Sequence, residues 1–179
     1  MKYLVIFIII SILLIALACC APKKNTAPLN AVPFVDLAKY TGRWFEIARY
    51  PHRFEKGCSA VTADYSLQED GTIEVLNQCR REEESNRIKK AKGKAKVVDT
   101  QSNAKLKVSF FWPFYGDYWI LKLDPDYQYA IVGTPSRKYV WILSRTPIIP
   151  EKLLEELIED IRFFGYDPDL LIMTKQLQT

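Results

Sequence analysis

The chain has 179 residues, of which 49% are hydrophobic and 26% charged, with a net charge of +4 and a single histidine. This length suits one compact domain with a substantial core. The small positive charge excludes most nucleic-acid-binding proteins, which need a dense basic stripe, and one histidine argues against multi-histidine metal sites and most histidine-dependent triads.

The chain starts with a short apolar segment. Residues 4–18 are apolar apart from Ser11, and Cys19 and Cys20 follow directly. Because about 20 apolar residues are needed to cross a bilayer, residues 1–18 are predicted to be a secretory signal peptide that takes no part in the fold. A cysteine after Leu-Ala resembles the lipobox of bacterial lipoproteins, in which the thiol is acylated. Cys19 fits this role better than Cys20, and the alternative is an ordinary signal peptide cut after Ala18.

The next segment has few large apolar residues. Residues 19–33 are rich in Pro, Lys, Asn and Ala, and we predict a lipidated tether there. The folded domain is then expected over residues 34–179.

A series of short alternating segments follows the tether. From Gly42 to about Arg145 these segments are separated by turn residues, and none has a helical period. The pattern predicts an all-β, up-and-down antiparallel barrel of eight strands, because closure removes the exposed edges and leaves room for one small ligand. The predicted strands are 43–50, 60–67, 72–79, 91–98, 104–111, 117–123, 128–133 and 139–145.

Cys58 and Cys79 are the natural partners for a disulfide, since an exported protein can form one and Cys20 is left over. They flank a hairpin signal around Asp70-Gly71. A strict two-residue turn there would place Cys79 opposite Thr62, so the bridge needs a bulge or a longer loop. Two thiols without neighbouring histidines do not make a metal site.

Lysine occupies every other position from Lys90 to Lys96, and the residues between them are small. The lysines must face water, so the opposite face lines the barrel with Ala and Gly and leaves space inside. The alternative is a filled core in which small residues accommodate bulky neighbours. Alternation along the strands predicts these ligand-contacting residues: Tyr65, Val75, Asn77, Val108, Phe110, Trp119, Tyr129 and Trp141.

An amphipathic helix is predicted over residues 151–164, after Pro147 and Pro150 and before Gly165. Its polar face is rich in glutamate, so we expect it to pack outside the barrel rather than on a membrane. Residues 170–173 are predicted to form a short final strand.

Residues 110–115 read Phe-Phe-Trp-Pro-Phe-Tyr and are predicted to span the turn between the fifth and sixth strands. Exposed aromatic residues at this density suit the rim of a barrel mouth or a membrane-contacting loop. The pattern does not fix which end of the barrel this turn occupies.

Three motifs in order resemble those of the lipocalin family, in particular its bacterial outer-membrane, apolipoprotein D-like branch. They are Gly-Arg-Trp-Phe-Glu-Ile-Ala-Arg at 42–49, Asp-Pro-Asp-Tyr at 124–127 and Trp-Ile-Leu-Ser-Arg-Thr-Pro at 141–147. The resemblance covers residues 34–177. It implies that the Arg145 guanidinium lies across the Trp44 ring and closes one end of the barrel, and that Gly42 lets the chain pass close beneath.

The resemblance implies a lipocalin that holds fatty acids or lysophospholipids in the barrel and is anchored to the outer membrane of a bacterium, facing the periplasm. No cofactor is expected, and homodimer formation stays open. One alternative is a lipocalin-fold enzyme, with a reduced Cys58 or Glu46 as its reactive group and His52 as a loop residue. Another is a filled barrel that binds a partner protein.

Overall fold

The computed structural model describes residues 27–81 and 87–177, so the predicted signal peptide, Cys19 and Cys20 lie outside the described residues. Within them the chain forms eight antiparallel strands in sequence order. Their bounds are β1 Gly42–Arg49, β2 Cys58–Leu67, β3 Ile73–Arg81, β4 Arg87–Val97, β5 Lys105–Phe111, β6 Phe114–Leu123, β7 Tyr129–Gly133 and β8 Val140–Ser144.

The sheet closes on itself, because β1 pairs with both β8 and β2. A two-residue strand β9, Ile172–Met173, pairs with the second half of β1. One short helix, α1 (Leu37–Tyr40), precedes the barrel, and a longer helix, α2 (Glu151–Phe163), follows it. The predicted eight-stranded barrel with one C-terminal helix and a short last strand is therefore confirmed.

Two hydrophobic clusters hold the fold together, as expected for a sheet that packs on both faces. The first lies inside the barrel and includes Trp44, Ile120 and Leu143. The second lies between the outer barrel wall and α2 and includes Ile142, Leu157 and Ile161. The outer face of β4 stays in water, since its four lysines at alternating positions are exposed as predicted: Lys90, Lys92, Lys94 and Lys96.

Helix α2 has the ends that its sequence predicts. It begins after Pro150 and ends at a left-handed Gly165, where the amide of Tyr166 donates to the Ile161 carbonyl. Its apolar stripe buries Leu157 and Ile161 against the barrel. No helix in the described part of the chain is both long and apolar enough to cross a bilayer.

The predicted disulfide between Cys58 and Cys79 is present, with 5.5 Å between the two Cα atoms. The β2–β3 connection is a longer loop over residues 68–72, so Thr62 lies opposite Gln78 rather than opposite Cys79. A register shift between Ser59 and Thr62 then brings the two cysteines together. The sequence predicted either a bulge or a longer loop, and the structure has both a longer loop and a register shift.

The chain is already packed before residue 34, where the sequence predicts an unpacked tether. Leu29 is buried in the outer cluster, and the Val32 amide donates to the Ile120 carbonyl at 2.8 Å. The prediction is therefore wrong for residues 27–33. A single apolar side chain such as Leu29 is enough to hold a segment on the domain when a wall of the barrel is available to pack against. Composition alone does not show that such a wall is present.

Candidate ligand-binding site

The closed end of the barrel is built on Trp44, which is fully buried. The guanidinium carbon of Arg145 lies 3.9 Å from the centre of its ring, a close cation–π contact. Gly42 has a φ of +91°, and a β carbon there would lie 3.4 Å from an Arg145 nitrogen. The structure thus brings Gly42, Trp44 and Arg145 together, and none of them faces the open end.

Arg145 also ties the closing segments together through its hydrogen bonds. It donates to the carbonyls of Arg43 at 2.7 Å and Lys39 at 2.8 Å, and Trp44 donates its indole N–H to the Tyr40 carbonyl at 2.8 Å. Burial lowers the pKa of Arg145. The remaining acceptors are the carbonyls of Tyr40, Thr41 and Tyr127.

Above this closure three tyrosines share hydrogen bonds inside the barrel. The Tyr118 hydroxyl lies 2.8 Å from that of Tyr40 and 3.0 Å from that of Tyr65. Burial raises the pKa of all three phenols, that of Tyr65 to about 12, so they stay neutral at ordinary pH. They form a polar floor for the interior.

The interior wall above the tyrosines carries four of the eight predicted ligand-contacting residues. Val75 is fully buried in the interior cluster, and Val108 and Trp141 are partly buried against it. Asn77 pairs across the sheet with Ala63 and Ala91, which places it on the same face. Its side-chain oxygen is buried and has no hydrogen-bond partner, so this wall contains an acceptor that a bound molecule can satisfy.

Trp119 and Tyr129 do not face the interior, contrary to the sequence prediction. Both pack in the outer cluster beneath α2, and Lys105 lies over the Trp119 ring at 4.7 Å. The cause in β6 is a register shift between Ile120 and Lys122, which reverses the alternation and turns Ile120 inward. In β7 it is the neighbouring Ala130 that faces the interior.

Phe110 occupies an intermediate position near the mouth. Its side chain is 37% exposed, and its ring lies so close to Gly93 that a β carbon on Gly93 would come within 2.8 Å of it. A register shift between Val108 and Phe111 bends β5 at this point. Phe110 is therefore a rim residue rather than a member of the buried wall.

A buried charged cluster lies where β1 reaches the open end. Glu46 and Arg49 are cross-strand partners of the interior-cluster residues Leu143 and Trp141, and each is less than 5% exposed. Arg49 Nη1 lies 3.6 Å from Glu46 Oε1, and Arg49 Nε lies 2.9 Å from Glu55 Oε2. The carboxyl groups of Glu46 and Glu55 thus share one guanidinium group, that of Arg49.

The loop between β1 and β2 supplies the rest of this cluster. His52 Nε2 lies 2.9 Å from Glu55 Oε2, and the His52 ring meets the rings of Tyr139 and Trp141 edge to face. Lys89 on β4 donates to the Phe54 carbonyl at 3.0 Å. The loop is therefore held across the mouth from three directions.

The two carboxyl groups of the cluster have opposite pKa shifts. Burial, and then the charge of Glu55, raises the pKa of Glu46 well above its usual value, although the Thr174 hydroxyl donates to it. Burial also acts to raise the pKa of Glu55, but the hydrogen bonds with His52 and Glu46 and the charge of Arg49 together outweigh it, so this pKa is lowered. Glu46 is accordingly the proton-holding member of the pair.

The sequence does not predict this cluster as a unit. It indicates Glu46 only as the reactive group of an enzyme and His52 as a loop residue, and it gives no role to Arg49 or Glu55. The alternation of Trp44 and Glu46 is the sequence signal that could have revealed the cluster, because it places the Glu46 carboxyl group on the interior face with Trp44. Arg49 joins that face only through the register shift between Glu46 and Ala48.

Comparison with known proteins agrees with this geometry. A family model described as a lipocalin-like domain matches residues 35–176. The chain is 39% identical to the outer membrane lipoprotein Blc of Citrobacter freundii, with 98% of each chain covered, and 37% identical to apolipoprotein D of Mus musculus, with 79% of this chain and 77% of that protein covered. Among solved structures, insecticyanin from the tobacco hornworm Manduca sexta is similar, with a TM-score of 0.69, 18% identity and coverage of 85% of this chain and 86% of that one.

Proposed function

The chain belongs to the lipocalin family, and from this premise we propose that it binds single-chain lipids, fatty acids or lysophospholipids, inside its barrel while anchored to an outer membrane. The proposed role is to carry or store such lipids at the periplasmic face of that membrane. Relatives named outer membrane lipoproteins support the location.

One observation carries the binding proposal, namely the small side chains that β4 presents to the interior. Ala91 and Gly93 face Asn77 and Val75 and are only partly buried, whereas Ala95 below them is fully enclosed. The Phe110 ring covers Gly93, so the accessible part of this wall is at Ala91, beside the unpartnered Asn77 oxygen. An acyl chain would gain about 0.8 kcal/mol for each methylene buried against this wall, and a hydroxyl or protonated carboxyl group could donate to Asn77.

Binding is favoured over catalysis by the state of the two reactive groups considered from the sequence. Cys58 is bonded to Cys79 and offers no thiolate. The Glu46 carboxyl group is engaged by Arg49, Glu55 and Thr174. Nucleophilic and general-base chemistry both require a group that is free to reach the substrate.

The proposal predicts that Trp141→Ala weakens lysophospholipid binding about tenfold, since it removes one aromatic wall of the interior. Trp119→Ala is the matched control, because Trp119 lies outside the barrel and its loss should leave affinity unchanged. Isothermal titration of each variant with a C18 lysophospholipid measures both effects. Equal affinities for wild type and Trp141→Ala, or no heat with any of the three proteins, would show that the interior holds no such ligand.

The anchor has a separate test. We expect Cys19→Ser to abolish labelling by palmitate and to move the protein out of the membrane fraction, because a single thiol carries the proposed acyl groups. Cys20→Ser is the control and should retain full labelling. Palmitate incorporation into the Cys19→Ser chain would refute the assignment of Cys19.

A further inference from the structure

We propose that the open end of the barrel is a docking surface for an anionic lipid bilayer, so that the mouth faces the membrane. This inference concerns the outer surface of the rim and not the ligand inside the barrel. Three independent features of the described residues lead to it: exposed aromatic side chains, the distribution of charge between the two ends, and the point at which the N-terminal segment leaves the domain.

The first feature is the β5–β6 turn, which lies at the end opposite Trp44 and Arg145. Phe111 and Phe114 pair directly, so the turn consists of two residues and projects as a narrow tip. Phe111, Trp112 and Phe114 are 71%, 84% and 77% exposed. Apolar rings presented together on a rim are typical of an interaction surface, and tryptophan in particular favours the boundary between water and lipid.

Other apolar and basic groups surround this tip. Phe54 in the β1–β2 loop and Ile88 at the start of β4 are also exposed at the open end. Trp112 and Tyr115 wall a surface groove of about 790 Å³ whose lining also contains Lys92 and Lys94, which pair with Glu74 and Asp70 at 2.7 and 2.9 Å. The ammonium group of Lys96 lies 4.6 Å from the centre of the Tyr115 ring, so a basic group stands beside the aromatic side chains, an arrangement suited to lipid headgroups lying above acyl chains.

The second feature is a charge difference between the two ends of the barrel. In the described loops of the open end, basic residues outnumber the single acid, Glu55, which is itself buried in the ionic cluster. The basic residues of these loops are Arg53, Lys56, Arg137 and Lys138. The glutamates at 82–84 are outside the described residues and enter neither count.

The closed end has the opposite charge. Its loops contain Lys39 and Arg145 and a larger number of acids, namely Asp36, Glu69, Asp70, Asp99, Asp124 and Asp126. The charges of the described loops therefore favour the approach of an anionic bilayer to the open end over the closed end. The same distribution disfavours a second copy of this chain on the rim, because two open ends face to face would bring like charges together.

The third feature is the route of the N-terminal segment. The Ala27 carbonyl accepts a hydrogen bond from Arg137 at 2.7 Å, and Arg137 belongs to the β7–β8 loop at the open end. From there the chain runs toward the closed end, where the Val35 amide donates to the Ser102 carbonyl. The residues before 27 therefore join the domain at its mouth. The eight residues that follow Cys19, up to Ala27, can span at most about 28 Å when fully extended. With the proposed acylation of Cys19, the mouth would therefore stay within that distance of the bilayer.

The test uses the full chain, reconstituted into phosphatidylethanolamine–phosphatidylglycerol vesicles with brominated acyl chains, which quench nearby tryptophans. Because Trp112 sits at the exposed tip, we expect Trp112→Phe to reduce the quenched emission about threefold, and Trp141→Phe to leave it nearly unchanged. The reverse result, with quenching lost only in Trp141→Phe, would overturn docking while supporting lipid entry into the barrel. The two proposals therefore fail separately.

A charge-reversal pair tests the bilayer's anionic character. Lys90→Glu combined with Lys138→Glu should reduce Trp112 quenching about threefold, whereas Lys39→Glu at the closed end should not. Equal quenching in all of these variants would overturn the electrostatic part of the proposal. Cross-linked dimers through the rim, with no quenching of Trp112, would assign the surface to a second copy of the chain instead.

Discussion

Replacing Arg145 with alanine is expected to lower the free energy of unfolding by about 3 kcal/mol, with urea denaturation as the measurement. The guanidinium donates to carbonyls of α1, β1 and the β6–β7 loop, so its loss leaves several partly buried acceptors without a donor. It also removes the cation from the face of Trp44. Bonds to a charged donor are worth more than neutral ones, which makes this effect large for one side chain.

Two further variants define the cause of that loss. Arg145→Lys keeps a cation near Trp44 but cannot reach several carbonyls at once, so we expect a smaller loss of about 1–2 kcal/mol. Arg162→Ala removes an exposed arginine that pairs with an exposed Glu159, and it should leave the free energy of unfolding nearly unchanged. If Arg145→Ala were as stable as Arg162→Ala, the closing segments would not depend on the guanidinium.

Replacing Arg49 with methionine is expected to cost about 3–5 kcal/mol at pH 7, because the buried Glu55 carboxylate loses its guanidinium partner. The loss should be smaller at pH 4. In the wild type the pKa of Glu55 is lower in the folded state than in the unfolded state, where it is near 4.5. The folded state is therefore stabilised at pH values above about 4.5, and this stabilisation is lost as the pH falls through the folded pKa. Without Arg49 this stabilisation is smaller, so the free energies of unfolding of the wild type and of Arg49→Met should become closer as the pH is lowered.

Glu46→Gln is the control for this prediction. Burial raises the pKa of Glu46, so its neutral form is the one the fold prefers, and stability is lost as the pH rises from about 4.5 through the folded pKa. A neutral amide of the same shape should therefore cost less than about 1 kcal/mol at pH 7. A loss as large as that of Arg49→Met would mean that Glu46 is ionised and pairs with Arg49, contrary to our assignment of the proton.

The sequence by itself determined the barrel and its family. Alternation over short segments, the lysine row on β4 and the turn residues are local properties, and an antiparallel meander turns them directly into strand order. The same local patterns predicted the disulfide and the helix that ends at Gly165. They also predicted these residues of the interior side: Tyr65, Val75, Asn77, Val108 and Trp141.

Only the tertiary structure decided the features that depend on register. A one-residue shift in β6 turned Trp119 outward, and another in β1 brought Arg49 inward beside Glu46, since each extra residue reverses the face of every residue beyond it. No periodicity in the sequence marks such a shift. Likewise, composition could not show that Ala27 joins the domain at the mouth, beside the aromatic turn, because this position results from the packing of Leu29 and Val32 on a wall built by distant strands.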